Sequence, residues 1–200
     1  MTYSLNTLNA SAAAKSPPRT GAARFGHEIA LVVGLLALVF WLLALVSYSA
    51  QDAAWSTSGA RDARSVANWA GRFGAWLADG SYFALGFSVW WCVAAGVRAW
   101  LSSLARWMRG GEVVAGAASP LVRRATFWGG LVVLMCSSTA LEWSRLYRFE
   151  SFLPGHAGGV LGYLVGPAGV KWLGFTGSGL LAIVLAVACL LYTSPSPRDS

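Results

Sequence analysis

The 200-residue chain is 56% hydrophobic and only 12% charged, about half the charged share of an ordinary soluble domain, and it holds eleven tryptophans. That composition excludes a water-solvated body and points to lipid, because Trp favours membrane–water boundaries. The net charge of +7 would suit nucleic acid if it formed one patch, but the basic residues flank apolar runs, as they do when they orient membrane helices.

Residues 1–27 are rich in Ala, Ser, Thr and Asn, with Pro17–Pro18 in the middle, and read as a flexible tail. Ile29–Val46 follows, eighteen residues without a charge, thirteen of them Leu, Ile, Val or Phe. At about −0.3 to −0.6 kcal/mol each, those thirteen favour insertion by roughly 4–8 kcal/mol. The run is too long for a signal-peptide core, and more apolar runs come after it, so it is an anchor. A first span over 29–48 is predicted.

In Ala60–Leu77, Val66, Trp69, Phe73, Trp76 and Leu77 recur at threes and fours, with Arg61, Arg64 and Arg72 mostly off the stripe. An amphipathic helix is predicted, either lying on the outer leaflet or packing on the bundle. The second apolar run, Gly80–Val97, is weaker and rich in Gly, Ala and Ser; it predicts a span over 80–100 that presents small residues to its neighbours. A third span is predicted over 125–142. It carries Ser137, Ser138 and Thr139, whose hydroxyls can bond the preceding turn or a facing helix. Ser151–Val170 is uncharged but holds Pro154, Pro167 and six glycines, which predicts a short helix bounded by the two prolines and dipping into the outer face. Within it Gly158, Gly162 and Gly166 recur every four residues and form a bare ridge for helix packing. The last span is predicted over 172–192. The fold class is therefore all-α: a polytopic membrane domain over 28–192 with four transmembrane helices, an outer amphipathic helix and a short Gly-rich one.

Lys and Arg counts set the orientation. Lys15, Arg19 and Arg24 precede the first span, and Arg98, Arg106, Arg109, Arg123 and Arg124 lie between the second and third. On the other side Asp52, Asp62 and Asp79 offset three arginines, and Glu142 and Glu150 offset most of Arg145, Arg148 and Lys171. Both termini are expected on the cytoplasmic side.

Reactive groupings are sparse. No GxxxxGK[ST] phosphate loop is present, the two histidines His27 and His156 fall on opposite predicted sides, and Cys92, Cys136 and Cys189 sit singly inside apolar runs. No cofactor or metal is expected in this chain. Glu142 reads as a boundary residue paired with Arg145 at i,i+3, with a functional acid as the alternative. A carrier or membrane enzyme is the competing class, and it would require Glu142, His156 and Arg148 to converge in a watered pocket.

Three stretches carry a resemblance: Ser47–Ser56 (SYSAQDAAWS), Asn68–Asp79 (NWAGRFGAWLAD, with Leu85-Gly86-Phe87 beyond it) and Leu153–Gly162 (LPGHAGGVLG). In this order they resemble the N-terminal membrane domain of the bacterial FtsK/SpoIIIE family of DNA translocases, over about residues 25–190. Ala53 departs from the pattern, which more often has Pro after the Asp, and this makes the loop less stiff. The resemblance implies four spans that anchor the protein at the division septum of the inner membrane. It also implies division-machinery membrane proteins as partners, a homo-oligomer, and a cytoplasmic ATPase that uses ATP and Mg to pump DNA. That motor is not in this chain. Residues 193–200 (TSPSPRDS) are unrelated to the preceding helix, and the string from Cys189 is similar to translated adapter sequence, so a non-native tail is expected, with a genuine polar tail as the alternative.

Overall fold

The computed structural model describes residues 21–56, 66–109, 120–146, 148, 150 and 153–193. They form an all-α membrane protein: α1 (Gly21–Val46), α2 (Gly71–Leu85), a 3-10 turn (Gly86–Ser88), α3 (Val89–Met108), α4 (Pro120–Arg145) and α5 (Gly159–Thr193). Four helical stretches are long and apolar enough to cross a membrane: Phe25–Val46, Gly71–Met108, Ala125–Arg145 and Gly159–Leu191. Residues 21–27, assigned to the tail from sequence, already belong to α1. Pro120 opens α4, where its fixed φ suits a first turn and its missing N–H costs nothing.

The molecule is inside-out by the standard of a soluble protein. Leu36, Leu180 and Leu191 are exposed, whereas Asp52, Asn68, Asp79, Ser88, Thr139 and Glu142 are buried. Such a distribution is stable only where hydrocarbon surrounds the helices and each polar group finds its partner inside the protein. The apolar core is small, built from Ala44, Leu45, Ala78, Tyr82, Val89, Val93 and Leu153.

α2 crosses α1 near its end instead of running beside it. Phe73 packs on Phe40 at 5.8 Å, yet Ser81, eight residues further along, accepts a bond from the Trp41 indole at 3.1 Å. Eight residues of helix rise about 12 Å, whereas Phe40 and Trp41 are adjacent. The 3-10 turn then redirects the chain, with Gly86 at φ 60°. The membrane-crossing part of this stretch is thus α3, whose 20 residues span about 30 Å. The predicted span over 80–100 is corrected: its first nine residues belong to the end of α2 and the turn. A glycine at positive φ inside an uncharged run leaves no trace in hydropathy.

The predicted outer helix over Ala60–Leu77 is also corrected. Helix begins only at Gly71, so Val66 and Trp69 precede it, and Arg61 and Arg64 lie outside the described residues. Phe73 and Trp76 are exposed on α2, as is Trp69 before it, while Ala75, Ala78 and Tyr82 face the core. Ala75, Ala78 and Tyr82 make the buried face, and of the exposed aromatic stripe Phe73 touches α1 through Phe40.

α5 is two limbs joined at Gly174 (φ 69°, ψ 175°). Gly162 sits on Thr139 and Gly166 on Trp143, so the first limb runs the same way as α4 toward its C-terminal end. The second limb runs back along α4, from Gly179 beside Arg145 toward Leu185, which shares a cavity of about 320 Å³ with Val132. The chain after α4 therefore dips back to the level of Thr139, six residues or about 9 Å from the end of that helix, before the first limb starts. The predicted boundaries of this element change: Pro167 lies inside the helix and the break falls seven residues later.

Candidate functional site

The buried polar groups gather at the end where α1 and α4 finish, and they form two clasps. In the first, Asp52 accepts the backbone N–H groups of Ala67 (2.8 Å) and Asn68 (2.9 Å), closing a gap of 15 residues in sequence. Asn68 in turn donates to the free carbonyl of Ala44 at 2.9 Å and accepts from the Ala70 N–H at 2.9 Å. The Ser47 hydroxyl accepts from the Trp69 N–H at 3.0 Å. Asp79, fully buried on α2, accepts from the Ser56 N–H (2.8 Å), the Ser56 hydroxyl (2.6 Å) and the Tyr48 phenol (3.4 Å). Together these bonds fasten the loop after α1 to the start of α2. Burial, then the adjacent Asp79 carboxylate, raise the Tyr48 phenol above its ordinary value of 10.0.

The second clasp centres on Glu142, which is 5% exposed. Its carboxylate accepts the Phe87 N–H at 2.8 Å and the Ser88 hydroxyl, and the amides of Ser88 and Gly158 also bond it. These amides open α3 and α5, where N–H groups have no partner within the helix and favour an anion. Ser138 meets the Ser88 hydroxyl at 2.5 Å and accepts from the Trp91 indole at 3.2 Å. Its neighbours Ser137 and Thr139 bond back to carbonyls of their own helix, Val133 and Met135. Both modes expected for this hydroxyl run occur.

Glycine permits the approach. A Cβ on Gly86 (φ 60°) would lie 2.6 Å from the Glu142 carboxylate and 2.7 Å from the Gly158 nitrogen. One on Gly158 (φ 77°) would strike the Thr139 carbonyl, and one on Gly162 would come within 2.6 Å of the same oxygen. Gly166 takes the Trp143 indole on its bare face. Of the three ridge glycines, Gly158 lies before α5 and the other two on its first limb, and all three face α4.

The predicted pairing of Glu142 with Arg145 is corrected. Arg145 donates to the Phe175 carbonyl at 2.9 Å and lies 3.9 Å over the Phe175 ring, where it holds the bend of α5. Nor do Glu142, His156 and Arg148 converge: His156 is exposed, bonds Glu150 at 2.5 Å and stacks on Tyr163 at 5.4 Å. Arg148 is exposed. Arg98 lies midway along α3, whereas Arg106 and Arg109, at or just after its end, and Arg123 and Arg124, in the first turns of α4, lie toward the end opposite the clasps. Sequence reading missed Asp52, Asn68, Asp79 and Glu142 as partners; the available signal was that each is polar and lies in or beside a quoted stretch next to an apolar run.

No group of His, Cys, Asp and Glu among the described residues could hold a metal ion. Each clasp carboxylate accepts hydrogen bonds from other segments of the chain, an arrangement that joins those segments.

The quoted stretches Ser47–Ser56, Asn68–Asp79 and Leu153–Gly162 are the segments these clasps bind together. The family profile described as the 4TM region of DNA translocase FtsK/SpoIIIE matches residues 23–196. DNA translocase FtsK 2 of Ralstonia nicotianae is 35% identical over 170 residues, covering 84% of this chain and 21% of that protein. DNA translocase FtsK 1 of Neisseria meningitidis serogroup A is 31% identical over 178 residues, covering 86% of this chain and 21% of the relative. DNA translocase FtsK of Pseudomonas syringae pv. syringae is 31% identical over 164 residues, covering 79% and 19%. The chain thus spans about a fifth of the length of these curated relatives. No solved structure matches it significantly. With four membrane-crossing stretches and a match across nearly all of its length, the chain belongs to the family of the four-span membrane region of FtsK/SpoIIIE DNA translocases.

Proposed function

We propose that the chain anchors a DNA translocase in the bacterial inner membrane at the division septum, in cell division and chromosome segregation. There it assembles membrane proteins of the division machinery and further copies of itself. The observation that carries this reading is the family match over residues 23–196, together with the name DNA translocase borne by each curated relative. The clasp end faces away from the cytoplasm and both termini face it, in keeping with the arginines at the opposite end. ATP, Mg and DNA belong to a motor outside these 200 residues, and the chain itself is not an enzyme.

Expressed as a fluorescent fusion in dividing cells, the chain should collect as a band at midcell; uniform membrane fluorescence would remove the septal role. Cysteines introduced at Ala60 and Gly110 should react with a membrane-impermeant maleimide from opposite sides, and labelling from one side would overturn the topology.

A further inference from the structure

The aromatic side chains that α2 and its approach leave uncovered form one strip. Trp69, Phe73 and Trp76 recur at four and three residues and are 73%, 72% and 56% exposed. Arg72 is exposed beside them, while Gly74, Ala75, Ala78, Asp79 and Tyr82 turn to the protein. The helix also lies at a definite depth. Phe73 meets Phe40 and Ser81 meets Trp41, so a stretch of α2 about 12 Å long touches α1 at one level, and Asn68 reaches Ala44 one turn nearer the end of α1. Because α1 crosses the bilayer, α2 runs along the membrane plane. Phe40 lies six residues, about 9 Å, short of Val46, where α1 ends. An interfacial helix sinks its apolar face by about 5–10 Å, which is the same depth. On another side of α2, Asp79 bonds Tyr48 and Ser56, both past the end of α1.

We propose that the strip is a lipid-docking surface: α2 lies in the headgroup region of the leaflet at the clasp end, with Trp69, Phe73 and Trp76 set among the upper acyl carbons. The residue types fit that level and no other. An indole has an apolar body and a polar N–H, which suits the boundary better than either hydrocarbon or water. An arginine beside it keeps its charge among the headgroups while its stem lies along apolar surface.

The test uses the full chain with Cys92, Cys136 and Cys189 replaced by alanine and a nitroxide on single cysteines at Leu36, Gln51, Phe73 or Trp76. Leu36 is exposed near the middle of α1, and Gln51 is exposed in the loop past its end. In vesicles of phosphatidylethanolamine and phosphatidylglycerol, spin-label collisions with oxygen and with a water-soluble nickel chelate report depth. The labels at positions 73 and 76 should both lie about 5–10 Å below the phosphates, between the deep Leu36 label and the wet Gln51 label. Nickel accessibility equal to that at Gln51 would put the strip in water and overturn the proposal. Shielding from both reagents would also overturn it, by showing the strip covered by protein, and spin–spin broadening would identify that cover as a second copy. Should the cysteine-free chain fail to fold, a W69F/W76F variant with its natural cysteines decides. It should lose part of the tryptophan quenching by lipids brominated near the glycerol, and unchanged quenching would refute the docking.

Discussion

Replacing Gly162 with alanine tests whether α5 is seated on α4 by the absence of a side chain. An alanine Cβ there would lie 2.6 Å from the Thr139 carbonyl oxygen, where ordinary contact begins near 3.4 Å, so the helices must part by about 0.8 Å. The blocking atom is backbone, which cannot swing aside. Overpacking of this kind costs about 1–3 kcal/mol, and a gap of that size forfeits a quarter to a half of each neighbouring dispersion contact. Alanine also favours helix over glycine by about 1 kcal/mol, which hides part of the loss. Gly129 on α4 supplies the control, because a Cβ there meets nothing within 4 Å. G129A therefore gains the helix propensity without the clash, and the two variants should differ by about 1–3 kcal/mol. Titration of each purified protein with SDS in mixed micelles, followed by tryptophan fluorescence, gives the midpoints. If G162A unfolds at or above the midpoint of G129A, the ridge is not a packing surface.

Glu142→Leu should strand the Phe87 N–H and the Ser88 hydroxyl, at about 1–3 kcal/mol for each unpaired group, whereas Glu142→Gln keeps an acceptor and should lose less. Equal midpoints for the two variants would show that hydrogen bonding is not what Glu142 contributes. Tyr48 gives a pH test. The folded protein holds its phenol proton above the ordinary value of 10.0, so stability is intact below pH 10 and declines as pH rises beyond it. Tyr48→Phe should lessen that decline, as read from the unfolding midpoint against pH with absorbance at 295 nm reporting tyrosinate.

The four membrane-crossing stretches were legible because hydropathy sums over about twenty residues, and local irregularities barely alter such a sum. What hydropathy averages away was misread. Gly80–Ser88 is as uncharged as a span, yet Gly86 turns the chain there and its role depends on a carboxylate 56 positions further on. Pro167 looked like a boundary, but the bend came at Gly174, where a positive φ ends the regular helix more sharply than a missing N–H. Helical spacing alone matches Arg145 to Glu142; the competing partners, Phe175 and Ser88, lie on other segments. The spacing of Gly158, Gly162 and Gly166 was visible, but which helix they faced was not. The stretches that carried the family likeness turned out to hold Asp52, Asn68, Asp79 and Gly158. A membrane protein has few buried polar groups, and those few fix which segments meet.

The Glu142 clasp also constrains the order of assembly. Ribosomes deliver Phe87 to the membrane long before Glu142, which lies 55 residues later. Until then the amides that open α3 face a low-dielectric medium without their acceptor, and Gly158, which completes the ring, arrives later still. The contacts that close the turn between α2 and α3 therefore form only after α4 has been made.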